Sequence, residues 1–247
     1  MRKSDFYKGI VLSLPVLAVF SVVSFLDATH LAQSEKISTR GLLVTMLDFN
    51  SGGISGITVH VLFFVPVVVV AFGNIWKVNE TYELLRYRTR GFFTKKMIFV
   101  ALLYSTVFMS VIELMKFILA VLLTGSEVYF SAFFLSYLLP DLLIGTLFYY
   151  RIVGIYLLFR SKFDKEILGI LLTVFVYYAE YVFYNYVFVD SPVFPCHSMT
   201  VSFSHLVGKA SAAFVAFEAC VSLGLDVLIT LILIIVMRRK DVLHRGE

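Results

Sequence analysis

Charge is scarce in this chain. Only 15% of its 247 residues are Asp, Glu, Lys or Arg, against 60% hydrophobic, and the mean hydropathy is +0.90. A soluble fold of this size cannot hide that much apolar surface; a bilayer removes the need to hide it. Cysteine is nearly absent. Cys196 and Cys220 have no metal-ligand spacing and read as small hydrophobes. Extended hydrophilic stretches, low-complexity tracts and clear internal repeats are missing too, so 1–247 reads as one integral domain. No HExxH, no partnered Gly-x-Ser and no GxxxxGK[ST] occurs, which argues against an enzyme. If ATP drives this protein, the ATPase, with its ATP and Mg, is another chain, and no cofactor or metal is expected in this one.

What is there is a set of six long apolar runs, at 9–26, 57–76, 97–123, 129–159, 167–189 and 210–237. About 20 apolar residues cross the hydrocarbon as a helix. The runs are apolar on every face, so they predict helices rather than alternating barrel strands. The fold expected is all-α and polytopic.

Basic residues mark the orientation. Arg2, Lys3 and Lys8 precede the first run; Lys77, Arg86, Arg88, Arg90, Lys95 and Lys96 lie between the second and third. Arg160, Lys162 and Lys165 follow the fourth, and Arg238, Arg239, Lys240 and Arg245 follow the sixth. The opposite side holds only Lys36, Arg40 and Lys209. The positive-inside rule then puts both termini in the cytoplasm. The pI near 9.0 is an orientation signal and a surface for anionic lipid, not a nucleic-acid footprint. The first run resembles a signal peptide in its basic start, but no small-x-small site follows cleanly.

Two external segments follow from this topology. Residues 27–56 carry an apolar stretch at 41–49, read as a short interfacial helix, then Asn50-Ser-Gly-Gly-Ile-Ser-Gly56, read as a flexible return. A substrate-contacting lip and a plain connector are both open. Residues 190–209 begin extended at Pro192 and Pro195, with a short helix expected at 198–207. His197 and His205 have no third ligand nearby in sequence.

The cytoplasmic stretch 77–96 reads KVNETYELLRYRTRGFFTKK. Asn79 can cap a short helix with Glu80 and Glu83 at its positive end and Arg86 and Arg88 later, and Gly91 then breaks it. Leu84, Leu85 and Tyr87 supply apolar contacts between the charges. Such an element docks into a groove on a soluble partner, or rests on anionic lipid. Here the chain resembles a family. Pro66-Val-Val-Val-Val-Ala-Phe-Gly-Asn-Ile-Trp76, then Glu80, then Glu83-Leu-Leu-Arg-Tyr-Arg-Thr-Arg90, then Lys95-Lys96, is similar to the second-to-third span region of ABC-2-type permeases, the membrane subunits of ABC exporters. The resemblance implies a coupling helix, with Glu80, Glu83, Leu84, Leu85, Arg86, Arg88 and Arg90 received by an ATPase subunit. It also implies pairing with a second permease subunit, as homo- or heterodimer, in a bacterial cytoplasmic membrane. The cargo implied is a peptide, lipid or drug-like compound, with antimicrobial-peptide export or immunity among the family's roles.

Ionisable residues inside the runs are functional candidates. Glu113 and Lys116 are three apart and can neutralise each other. Asp141 follows Pro140, whose kink would leave it near freed backbone groups. Arg151 is expected to snorkel to the cytoplasmic surface. Tyr177, Tyr181 and Tyr184 share a face with Glu180 beside it, which either lines a polar aromatic pathway or packs helices. Glu218 and the central Asp226 complete the substrate-pathway candidates. These acids also suit an ion-coupled secondary transporter. A non-transporting scaffold or sensor is the remaining alternative.

Overall fold

The structure, a computed structural model, describes residues 3–35, 38–48, 53–86, 90–124, 132–163, 165–187 and 195–239. Among these there are helices and no strands. In chain order they are α1 (Lys3–Glu35), α2 (Thr39–Leu47), α3 (Ile57–Val59), a π turn (His60–Phe64), α4 (Val65–Arg86), α5 (Arg90–Thr124) and α6 (Ala132–Phe163). Then come α7 (Glu166–Val182), a second π turn (Phe183–Val187), α8 (Pro195–Leu206) and α9 (Ala212–Arg239). Six stretches are long and apolar enough to span a membrane: Ser13–His30, Ile57–Ile75, Phe92–Leu123, Ser136–Phe163, Glu166–Val187 and Ala212–Met237. Helix is the outcome because a backbone in lipid must satisfy its own hydrogen bonds.

α6 is the hub. It packs against α4, α5, α7, α8 and α9, and of the spanning stretches it is the most buried, while α9 is the least. Every residue from Ile144 to Val153 is buried, so α6 has no lipid face there, while Leu223, Val227, Leu231 and Ile235 of α9 remain exposed. Gly145 allows α5 in close: a Cβ there would lie 2.5 Å from the Met109 Sδ.

The segments that the charge pattern reads as external are more embedded in the protein than expected. Ser38 caps α2, its Oγ accepting from the Gly41 N–H at 3.2 Å, and Leu43, Met46 and Leu47 are buried. Gly53 to Gly56 is buried rather than a loose return. The Ser24 Oγ of α1 accepts from the Ile54 N–H at 2.6 Å, and no side chain fits at Gly53, where a Cβ would lie 2.0 Å from that same oxygen. The π turn then leads into Pro66, which has no N–H to return to the Leu62 carbonyl four residues back. Tyr178 of α7 donates its hydroxyl to that carbonyl at 2.7 Å.

One further expectation fails. The stretch after Ile75 does not form a separate capped helix, since α4 continues unbroken to Arg86. No strong breaker intervenes, and each added residue gains a backbone hydrogen bond without a new nucleation cost. Nor does Gly91 end a helix, because it sits in the first turn of α5.

Candidate functional site

Lys116 stands at the centre of a buried polar cluster between α5 and α6. Its Nζ donates to Asp141 Oδ2 at 2.5 Å, to Glu113 Oε1 at 2.9 Å and to the Tyr137 hydroxyl at 3.2 Å. Tyr137 donates to Asp141 Oδ2 at 3.2 Å, and its ring centroid lies 5.5 Å from Nζ. Glu113, Lys116, Tyr137 and Asp141 are all buried. Helical spacing assembles both halves: Glu113 and Lys116 are i, i+3 on α5, and Tyr137 and Asp141 are i, i+4 on α6. Asp141 is thus bound across the interface to a cation, not left beside freed backbone after Pro140, and α6 remains helical through that proline. Charges this deep persist only when paired and hydrogen-bonded.

A second polar contact ties the π turn to α6. His60 Nδ1 and the Tyr149 hydroxyl are 2.6 Å apart, both residues buried among Phe64 and Phe108. Electrostatically, His60 senses both Lys116 and Asp141. Sequence reasoning missed His60, Tyr137 and Tyr149. The i, i+4 spacing could have found Tyr137; a lone His in an apolar run carries no such signal.

Ten residues beyond Asp141 on α6, Arg151 Nε donates to Asp226 Oδ1 of α9 at 3.1 Å. Both side chains are 3% exposed. Arg151 does not snorkel: its head is buried against Asp226, twelve residues from the end of the α6 spanning stretch and fifteen from its start. Its Nη1 and Nη2, and Asp226 Oδ2, are buried without a hydrogen-bond partner. Beside the pair, the Tyr150 hydroxyl and Thr230 Oγ1 are 2.7 Å apart, and Thr230 donates to the Asp226 carbonyl.

The tyrosine face of α7 packs helices. Tyr177 is buried with its ring edge-on to Phe148, Tyr184 is buried near the His197 ring, and the Tyr181 hydroxyl is 2.7 Å from Thr58 Oγ1. Glu180 is half-buried and Glu218 is buried on α9. A groove of about 300 Å³ lies elsewhere, between α6, α8 and α9, walled by Pro140, Leu143 and Val215 with His205 among its lining residues. His205 Nδ1 bonds the Ala210 carbonyl. Among the described residues no group of three His, Cys, Asp or Glu is placed to hold a metal.

The side chains of Glu80, Glu83, Leu84, Leu85, Arg86 and Arg90, and the whole of Arg88, lie outside the described residues. The backbone around them is informative. α4 runs eleven residues past Ile75, about 16 Å, and the apolar stretch of α5 is about 48 Å long against ~30 Å of hydrocarbon. Both helices are therefore longer than a bilayer crossing needs. No family model matches the chain, and neither a curated protein nor a solved structure is similar to it.

Proposed function

We propose that this chain is the permease subunit of an exporter of the ABC-2 type, driven by a separate ATPase. The observation that carries the reading is the length of α4 and α5 beyond what a crossing needs, because it combines reach with charge. The sequence around their junction holds Glu80, Glu83, Arg86, Arg88 and Arg90 on the side richest in basic residues, the cytoplasmic side by the positive-inside rule. Leu84 and Leu85 supply contact area and the charges fix register in a groove of the ATPase.

The α4–α5 pair is a lever. α5 is continuous from Arg90 to Lys116, about 39 Å, so a push at its start reaches the interface where Lys116 meets Asp141. Closure of two ATPases beneath two such permeases would shift α5 against α6 and rearrange the pathway. The cargo class is a peptide, lipid or drug-like compound, with antimicrobial-peptide export or immunity as the narrower proposal. The setting is a bacterial cytoplasmic membrane.

Pull-down in detergent tests this reading, since bilayer headgroups are then largely gone. The chain is expressed with a candidate ATPase encoded beside it. The wild type should retain the ATPase, and Leu84→Asp/Leu85→Asp should release it while the spans stay folded. Retention at wild-type yield by the double variant would remove the coupling role.

A second reading is favoured by one observation, the buried acids of the Lys116 cluster. They suit an ion-coupled secondary transporter. Proton-coupled flux without ATP would select it.

A further inference from the structure

The Lys116 cluster holds one positive side chain and two carboxyl groups. If both acids were ionised, the cluster would carry a net negative charge inside the membrane, which is expensive without a further cation. The two acids are not equivalent. Asp141 Oδ2 takes the shorter contact from Lys116 and a second hydrogen bond from Tyr137. Glu113 accepts from Lys116 through Oε1 and its carboxyl also interacts with that of Asp141, while its Oε2 is buried with no hydrogen-bond partner.

We infer that the cluster is a single-proton binding site, with the proton held on Glu113 while Asp141 stays ionised against Lys116. The groups acting on Glu113 are Lys116 of its own helix and Asp141 of α6, and Tyr137 and Tyr149 of α6 sense its charge in turn. His60 of the π turn also acts on Asp141, but it is bonded to Tyr149 through Nδ1 and makes no ion pair with either acid. A metal ion is disfavoured as the occupant. Hard cations want about six oxygens, and the Lys116 ammonium already sits between the two acids. The inference holds whether an ATPase or an ion gradient drives the chain, so it does not stand or fall with the proposed function.

The test uses the purified full chain in detergent at neutral pH. The infrared difference between wild type and Glu113→Gln should contain a carboxylic-acid carbonyl band lost from the variant. A difference containing only carboxylate bands would overturn the inference. Thermal unfolding gives a second readout, because Gln is a neutral near-isostere of protonated Glu. Glu113→Gln should unfold within about 2 °C of wild type, whereas Lys116→Met, which strands Asp141, should fall by on the order of 10 °C. A Glu113→Gln loss as large as that of Lys116→Met would also overturn it.

Discussion

The two charged interfaces of α6 solve the same problem differently. Toward α5, one ammonium is shared by Glu113, Asp141 and Tyr137, and a tyrosine hydroxyl also supports the tighter acid. Toward α9, one guanidinium nitrogen meets one carboxylate oxygen, and Nη1, Nη2 and Oδ2 are left without hydrogen bonds. A compact ammonium can sit among several acceptors on two helices. A planar guanidinium needs a matched fork, which Asp226 presents with only one oxygen here. The α5 interface is therefore specified by a network around one ammonium, and the α9 interface by the Arg151–Asp226 contact and the neighbouring Tyr150–Thr230 hydrogen bond, on a helix that is otherwise largely exposed. This difference suits a lever that acts on α5.

The sharpest way to break the comparison is to remove the cations. Lys116→Met should cost the most, at the upper end of ~3–5 kcal/mol, because it strands a buried acid and removes three contacts. Denaturant or thermal unfolding of the purified chain measures it. Arg151→Leu should cost less, about 3 kcal/mol, since only one hydrogen bond is lost but Asp226 remains buried. The discriminating step is compensation. Arg151→Leu/Asp226→Leu should recover to within about 1 kcal/mol of wild type, as apolar replacement of a poorly satisfied pair often does. Lys116→Met/Asp141→Leu should not recover, because the Tyr137 hydroxyl and Glu113 lose their partners together. Equal recovery at both interfaces would erase the distinction.

Two smaller effects sharpen the frame around α6. Gly53→Ala should cost about 1–3 kcal/mol, because the new Cβ overlaps Ser24 and pushes the buried turn off α1. Tyr178→Phe should cost about 1 kcal/mol, the value of one hydrogen bond, because it removes the hydroxyl that donates to the Leu62 carbonyl beside Pro66. Both are read by thermal unfolding.

What was legible in the sequence was what is local. Apolar length located the six spanning stretches, with ends shifted by up to seven residues, and the short helix Thr39–Leu47 lies two residues before the expected 41–49. Pro195–Leu206 starts three residues before the expected 198–207, because Pro195 opens the helix, where its missing N–H costs nothing, instead of staying extended. The Glu113–Lys116 pair was readable because both partners share one helix. Asp141 and Asp226 were readable as candidates, but their partners were not, since neither α5–α6 nor α6–α9 register is written in one segment. Arg151 was misjudged because a basic residue in a long run reads as near the surface until its partner Asp226 on α9 is known. The glycines before Ile57 read as flexible. Ser24, about thirty residues earlier, is what holds the turn inside.

The side of the membrane that holds the α4–α5 junction is the claim on which the account depends most. Cysteine accessibility in intact cells tests it directly, on a background with Cys196→Ser and Cys220→Ser to remove the native thiols. A cysteine at Thr89, between α4 and α5 in the sequence, should resist a membrane-impermeant maleimide until the cells are opened, while one at Ser38, before α2, should label at once. Labelling at Thr89 with protection at Ser38 would invert the topology, put the junction out of reach of any cytoplasmic ATPase and contradict the proposed function.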